Sequence, residues 1–284
     1  MISIPPAYTS HAIRVNGIHL NYYRSTPVVN GPTIVMVHGI TDNGMCWMQM
    51  ADALRGRYNL ILPDLRGHGL SDKPEEGYKI EILAADMAGL IDALSLDRPA
   101  LLGQSLGGLV VIATTALFPD KARCAILEEP ALAPRDETLD ERAARNHNWL
   151  EEFTFYQSLS RAELIAHLHQ ECPLWHEDIL GPTADGKLQM SVDAMLKIGN
   201  ENRWGSWRQY ISKTICPILL LASEPARGAM ITPELLQEVK GLWLNGRAVQ
   251  FQGAGHTLHQ ELFEPCLQAV DEFLDEIYDI HPGH

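Results

Sequence analysis

The chain has 284 residues, enough to bury a sizeable core in one large domain or in a core with a small insert. Hydrophobic residues make up 46% of the chain and charged residues 20%, which excludes a disordered or collagen-like protein. The formal net charge of −14 disfavours nucleic acid as a partner, because the phosphates would be repelled.

Cysteine usage and hydropathy predict a cytoplasmic protein. The five cysteines are scattered and have no CxxC spacing, which is typical of reduced thiols rather than of disulfides or a zinc site. No signal peptide is evident, and no uninterrupted apolar stretch reaches the roughly 18 residues that a membrane span needs. We therefore expect a small-molecule substrate as the partner, with no nucleic acid, membrane, metal or cofactor. A homodimer is compatible with this composition.

The first elements in chain order are a β-hairpin and then alternating strands and helices. Residues 12 to 24 predict the hairpin, because Asn16-Gly17 accepts the positive φ angles of a two-residue turn. Apolar runs then alternate with amphipathic helices, which predicts parallel strands covered on both faces. The runs lie at 33–38, 58–63, 99–103 and 124–128, and the helices at 46–55, 80–95 and 105–117.

The alternation stops near Pro130 and resumes at residue 215, with helices expected at 233–241 and 261–278. The intervening stretch is rich in Trp and His and mostly helical in character. We interpret it as a helical cap, 131–212, inserted into a core formed by 1–130 and 213–284. The predicted fold class is α/β: a doubly wound, mostly parallel sheet with an inserted cap.

The strongest local motif is Gly103-Gln104-Ser105-Leu106-Gly107, which directly follows an apolar run and precedes a helix. A nucleophile on a sharp strand-to-helix turn needs small neighbours, because its strained backbone would otherwise clash with flanking side chains. The helix N-terminus also offers free amides where an oxyanion would form. Ser105 is the predicted nucleophile.

Two further loops complete this chemistry. Acyl transfer needs two convergent amides for the oxyanion, and Ile40 and Leu106 are the candidates. His38, beside Ile40, is expected to structure its loop rather than to react. Gly253-Ala254-Gly255-His256 follows the last apolar run, and a hydroxyl nucleophile needs such a base, so His256 is the predicted general base. His259 is taken as a loop or helix residue, not a metal ligand.

Together these motifs resemble the α/β-hydrolase superfamily over nearly the whole chain. The matching pieces are VHGITDNG at 37–44, DLRGHGLSDKP at 64–74, GQSLGG at 103–108 and GAGH at 253–256. They are similar to the esterase, lactonase and C–C-bond hydrolase branch, and a Ser at the nucleophile argues against dehalogenases and epoxide hydrolases. The Asp64–Gly69 stretch is expected to fix loop geometry.

The triad acid departs from the usual pattern of this family. Much of the family has an Asp after the strand that follows the cap, where this chain has Glu224. Some members place the acid about two dozen residues after the nucleophile, where this chain has Glu128 and Glu129. Adjacent strand side chains point to opposite faces, so only one of the pair can face His256. We favour Glu129, with Glu224 and then Glu128 as alternatives.

Aromatic residues of the cap and of the loop after the first parallel strand are candidates for the substrate pocket, since a cap must present an apolar face to the site. They are Trp47, Trp149, Phe153, Trp175 and Trp204.

The expected function is a cofactor-independent serine hydrolase, EC 3.1.1 by preference, that cleaves a carboxylic ester, lactone or related acyl bond of a small, largely apolar substrate. An amide, carbamate or C–C bond would need the same triad, since all these reactions pass through an oxyanion. A ligand receptor of the same fold with little turnover is the third hypothesis.

Overall fold

A computed structural model describes residues 4–133, 137–202 and 206–279. In this part of the chain eight strands form one sheet in the order β1-β2-β4-β3-β5-β6-β7-β8. The strands are β1 (Tyr8–Val15), β2 (Ile18–Ser25), β3 (Thr33–Val37), β4 (Asn59–Pro63), β5 (Ala100–Gln104), β6 (Cys124–Glu128), β7 (Ile218–Ala222) and β8 (Gly246–Gln250).

Helices follow most of these strands. They are α1 (Met48–Leu54), α2 (Ile80–Ala93), α3 (Leu106–Leu117), α4 (Leu139–Ser158), α5 (Arg161–Glu171), α6 (Glu177–Gln189), α7 (Val192–Glu201), α8 (Trp207–Ile211), α9 (Pro233–Leu242), α10 (Leu258–Glu261) and α11 (Phe263–Tyr278). Among the described residues, none of these helices is both long and apolar enough to cross a membrane.

The predicted hairpin is confirmed. β1 and β2 pair antiparallel with Val15 opposite Ile18, which leaves Asn16 and Gly17 as the two turn residues. Both have positive φ, 46° and 83°, as a primed turn requires. β2 then pairs antiparallel with β4, so the hairpin closes one edge of the sheet.

The remaining strands are parallel, and the inner ones are buried on both faces, whereas the edge strand β8 is partly exposed. β5, β6 and β7 are buried along their whole length, because one hydrophobic cluster lies on each side of the sheet. Parallel strands bring their carboxyl ends to one edge, so the loops after β3, β5, β6, β7 and β8 meet there. The doubly wound, mostly parallel sheet predicted from the sequence is confirmed.

Helices α4 to α8 lie between β6 and β7, where the cap was expected. A separate cluster that includes Phe153, Leu164 and Leu180 joins α4, α5 and α6. Side chains of α7 and α8, among them Trp207, instead pack into the main cluster on one face of the sheet. The division of the chain at residues 131 and 212 stays a prediction.

A buried ion pair ties the loop after β4 to α2. Arg66 donates from Nε and Nη2 to the two carboxylate oxygens of Asp86, at 2.5 and 2.7 Å. The two side chains are only 4% and 1% exposed. Removing one member of such a pair leaves a buried charge without its partner, which is strongly destabilising.

We expect Asp86→Asn to lower the free energy of unfolding by about 3 kcal/mol, because it leaves the Arg66 guanidinium buried without a counter-charge. Urea denaturation followed by circular dichroism measures this loss. A loss below about 1 kcal/mol, the size expected for an exposed pair, would contradict the prediction.

Candidate active site

Ser105 occupies a strained turn between β5 and α3. Its backbone has φ 53° and ψ −118°, a combination that residues other than glycine seldom adopt and that costs about 1–3 kcal/mol. Its amide donates to the Glu128 carbonyl oxygen at 3.0 Å, and its carbonyl oxygen accepts from the Ala131 amide at 2.9 Å. The end of β6, through Glu128, and the chain that follows it, through Ala131, therefore hold the turn in place.

Close backbone packing explains the glycines that surround Ser105. A Cβ atom at Gly103 would collide with the backbone of Gly107, and one at Gly107 would collide with the Val37 carbonyl oxygen at the end of β3. A Cβ at Gly108 would lie 2.7 Å from the Pro130 side chain. The turn is possible because α3 starts in direct contact with the neighbouring strand ends.

His256 lies in the loop between β8 and α10, and other side chains hold the backbone of this loop. Gln104 Nε2 donates to the His256 carbonyl oxygen at 3.1 Å. The Glu261 carboxylate accepts from the amides of Gly255 and Thr257, at 2.7 and 3.2 Å, one on each side of His256. The His256 side chain itself is 32% exposed and reaches a cavity.

Glu129 lies behind His256 and is completely buried. Its Oε1 accepts from the Ser223 amide at 2.6 Å, and its Oε2 accepts from the amides of Met230 and Ile231 at 2.6 and 3.3 Å. Oε2 is also 3.9 Å from His256 Nδ1, which has no hydrogen-bond partner within the described ranges. Glu129 is thus a carboxylate held by backbone amides and directed towards the imidazole.

The other two candidate acids have different partners. Glu128 Oε1 lies 2.7 Å from His259 Nδ1 and accepts from the His259 amide at 3.1 Å. Glu224 accepts from the Gly253 amide at 3.0 Å and lies 3.9 Å from Arg227, the type of salt bridge expected for an acid outside the triad. The structure brings Glu129, and neither of these, next to His256.

The two predicted oxyanion residues lie on the wall of the cavity that Ser105 faces. Leu106 is the first residue of α3, and Ile40 belongs to the loop after β3. The buried His38 ring braces this loop, because its Nε2 accepts from the Leu65 amide at 3.0 Å and its Nδ1 lies 2.6 Å from the Gly39 carbonyl oxygen. Burial lowers the pKa of His38, so the ring is neutral near pH 7.

The cavity has a volume of about 320 Å³, at the lower end of the range for small-molecule sites. Its wall is mainly apolar, with Ser105 and His256 among the few polar groups. The lining residues are Ile40, Ser105, Leu106, Ala131, Ala133, Glu137, Arg145, Trp149, Met230 and His256.

Residues 32–261 of this chain match the sequence model of a known protein family, which is described as the alpha/beta hydrolase fold. The chain belongs to the α/β-hydrolase family. The resemblance inferred from its motifs is therefore confirmed.

Two curated relatives match this α/β hydrolase over most of its length. The 2-(acetamidomethylene)succinate hydrolase of Mesorhizobium japonicum is 26% identical over 254 residues, which cover 87% of this chain and 89% of that protein. The N-formylmaleamate deformylase of Pseudomonas putida is 24% identical over 265 residues, covering 93% and 95%. A crystal structure of E-2-(acetamidomethylene)succinate hydrolase superposes with a TM-score of 0.77 at 25% identity, covering 94% of this chain and 99% of that one.

Of the predicted pocket aromatics, the structure of this α/β hydrolase places Trp149 on the cavity wall. Trp47 instead lies in the core and stacks on the His259 ring, with centroids 4.2 Å apart. Phe153 and Trp175 pack in the cluster between the cap helices, since the cap needs its own apolar core. For these three residues the pocket prediction is corrected. Trp204 lies outside the described residues.

The sequence reasoning missed a charged pair on the cavity wall. Arg145 donates from Nε and Nη2 to the two carboxylate oxygens of Glu137, at 2.7 and 2.9 Å, and its guanidinium lies 4.4 Å from the Trp149 ring centre. Arg145 and Trp149 are four residues apart on α4 and so share one helix face. This spacing could have identified Arg145 as a neighbour of Trp149 from the sequence. Nothing in the local sequence marked Glu137.

Gln104 and Glu261, which hold the His256 loop, were also missed. Gln104 stands inside the serine motif, but its contact with His256 spans 152 positions in the chain. Over the described ranges, no group of three His, Cys, Asp or Glu side chains has the arrangement of a metal site. The cavity wall thus carries a serine hydroxyl and an imidazole, and a buried carboxylate lies behind the imidazole.

Proposed function

We propose that this α/β hydrolase is a serine hydrolase that cleaves a carboxylic ester, lactone or related acyl bond of a small, largely apolar substrate. One observation carries the proposal: Ser105 and His256 share the wall of one apolar cavity, and the buried Glu129 carboxylate stands behind His256. This is the order nucleophile, base and orienting acid that activates a hydroxyl.

The proposed reaction begins when Ser105 Oγ attacks the acyl carbonyl carbon. Nδ1 of His256 faces Glu129, so Nε2 is the nitrogen that takes the Ser105 proton. The negative charge moves to the carbonyl oxygen, where the amides of Ile40 and Leu106 stabilise it. The carbonyl then re-forms as the bond to the leaving group breaks, and His256 gives its proton to that group, which leaves an acyl-enzyme on Ser105. Water attacks this acyl-enzyme in the same way, releasing the acid and regenerating Ser105.

Glu129 stabilises the imidazolium that forms in this sequence. Its charge costs little to keep in the interior, because three backbone amides already donate to it. The 3.9 Å separation from Nδ1 exceeds a hydrogen bond, and catalytic hydrogen bonds of unliganded enzymes often tighten only in the substrate complex. We infer that this pair closes when substrate fills the cavity.

A second candidate is hydrolysis of an amide-type bond on the same residues. It is supported by the two relatives, which are named for an acetamido compound and for the removal of an N-formyl group. The chemistry differs at one step, since His256 would then protonate a leaving nitrogen rather than an oxygen. The ion pair of Glu137 and Arg145 offers polar recognition of such a group at the cavity wall.

We expect Ser105→Ala to lower kcat by at least about 10⁴-fold, because it removes the nucleophile. A fluorophosphonate probe should label the parent enzyme at Ser105, which peptide mass spectrometry detects, and should leave the variant unlabelled. Full activity of Ser105→Ala, or no adduct on the parent, would overturn the serine mechanism. Tight ligand binding with turnover near zero in the parent would favour a receptor instead.

We expect Glu129→Gln to lower kcat/KM by about 10⁴-fold, as loss of the charge that holds the imidazole does in other triads. The matched control is Glu224→Gln, which should change kcat/KM by less than about threefold, because the Gln oxygen still accepts from Gly253. Steady-state kinetics of both variants decide between the two acids. The reverse ranking would assign the role to Glu224.

A substrate panel separates the two candidate functions. p-Nitrophenyl esters and lactones should give the highest kcat/KM, with N-formyl and N-acetyl amides of matched size lower, because the leaving oxygen of an ester needs less help from a proton donor than the leaving nitrogen of an amide. Ring-cleavage diketones test the C–C alternative. If the amides are cleaved faster than the esters, the second candidate replaces the first.

A further inference from the structure

Two neighbouring glutamates contact two histidines that are three positions apart. Glu129 faces His256, whereas Glu128 binds His259. The backbone turns sharply between the two acids, because β6 ends at Glu128 and Glu129 has a φ of 40°, in the left-handed region. The proposed mechanism uses the first pair and leaves the second without a role.

The second pair is the more tightly bonded one. His259 Nδ1 lies 2.7 Å from Glu128 Oε1, and the His259 amide donates to the same oxygen at 3.1 Å. The two side chains are 4% and 1% exposed. A buried carboxylate accepts a hydrogen bond from Nδ1–H, so this contact fixes both the backbone and the ring orientation of His259.

Trp47 extends this contact to a third loop. Its ring stacks on His259 with centroids 4.2 Å apart and planes 24° apart, and Trp47 itself is completely buried. It ends the short 3₁₀ helix Gly44–Trp47, which follows the loop that bears Ile40. The three side chains therefore join the loops that follow β3, β6 and β8.

We propose that Glu128, His259 and Trp47 form a positioning assembly that sets the distance between the His256 imidazole and the Glu129 carboxylate. The inference rests on the proposed serine mechanism. Glu128 and Glu129 are adjacent, and His259 and His256 are close together in the segment that follows β8. The contact between His259 and Glu128 therefore determines how far His256 lies from Glu129.

The expected size of the effect follows from the geometry. His256 and His259 are joined by only two residues, so a shift of the His259 backbone is passed to His256. A displacement of about 1 Å costs up to about 10²-fold in rate when reacting groups must be aligned. Gln104 and Glu261 still hold the loop on the His256 side, so the loop shifts and does not collapse.

Two substitutions of His259 separate the hydrogen bond from the ring. His259→Phe keeps a ring over Trp47 but removes the donor to Glu128. His259→Asn keeps a donor nitrogen near the Nδ1 position. We expect His259→Phe to lower kcat by about 10- to 100-fold with KM within twofold of the parent, and His259→Asn to restore most of that loss.

The labelling rate of Ser105 supplies a second readout. Fluorophosphonate attack also needs His256 to take the Ser105 proton, so its second-order rate constant should fall by the same factor as kcat in His259→Phe. A side chain that only supports the fold would change the amount of folded enzyme and leave both constants per folded molecule unchanged. Active-site titration and circular dichroism give the folded fraction.

Thr115→Val is the control for stability. It breaks the buried 3.0 Å contact between the Thr115 and Thr214 hydroxyls, near the end of α3 and just before β7, at the edge of the sheet opposite the site, so it should lower stability while kcat stays at the parent value. If His259→Phe does not fold, Glu128→Gln, His259→Leu and the double variant form a mutant cycle, and coupling in kcat is expected, because His259→Leu also removes the donor to Glu128. Additive effects in that cycle would overturn the proposal.

Other outcomes separate this proposal from the mechanism on which it rests. Unchanged kcat and labelling rate in folded His259→Phe, with Ser105→Ala inactive, overturn the positioning role alone. A loss of kcat in Thr115→Val equal to that in His259→Phe also overturns it. Full activity in Ser105→Ala overturns the serine mechanism and, with it, the positioning role.

Discussion

The strained turn at Ser105 is the constraint on which the rest of this site depends. A residue with a side chain holds a φ of 53° there only because the surrounding backbone leaves no alternative. Gly103 and Gly107 let α3 start directly against the ends of β3 and β5, and the chain after β6 closes over the Ser105 carbonyl oxygen. The strain is offset by the packing of the buried strands β5, β6 and β7.

Parallel strands explain why residues far apart in the chain meet at this turn. Ser105, Glu129 and His256 follow β5, β6 and β8, and all of these strands end at the same edge. Each loop is then held by hydrogen bonds to backbone atoms of a neighbouring loop. Such fixed contacts keep charged groups buried at low cost and pre-organise them for the proton transfer that we propose.

The chain between β6 and β7 contributes the other half of the cavity. Its helix α4 presents Trp149 and Arg145 to the cavity, whereas Phe153 on the same helix packs inwards against the other cap helices. An insert of this size must bury an apolar core of its own before it can present residues to a ligand. Several of its aromatic residues are therefore structural, and one apolar wall with one ion pair faces the substrate.

The sequence by itself determined the hairpin at Asn16-Gly17, the parallel sheet, the family, and the placement of Ser105 and His256 in strand-end loops, because turn chemistry and hydrophobic periodicity are local properties. Only the tertiary structure showed that Glu129, rather than Glu128 or Glu224, lies next to His256, separated Trp149 from Trp47, and revealed Arg145, Gln104 and Glu261 as neighbours of the site. These choices depend on which loops meet at one edge of the sheet and on a single left-handed residue after β6, and neither is encoded by the spacing of residues along the chain.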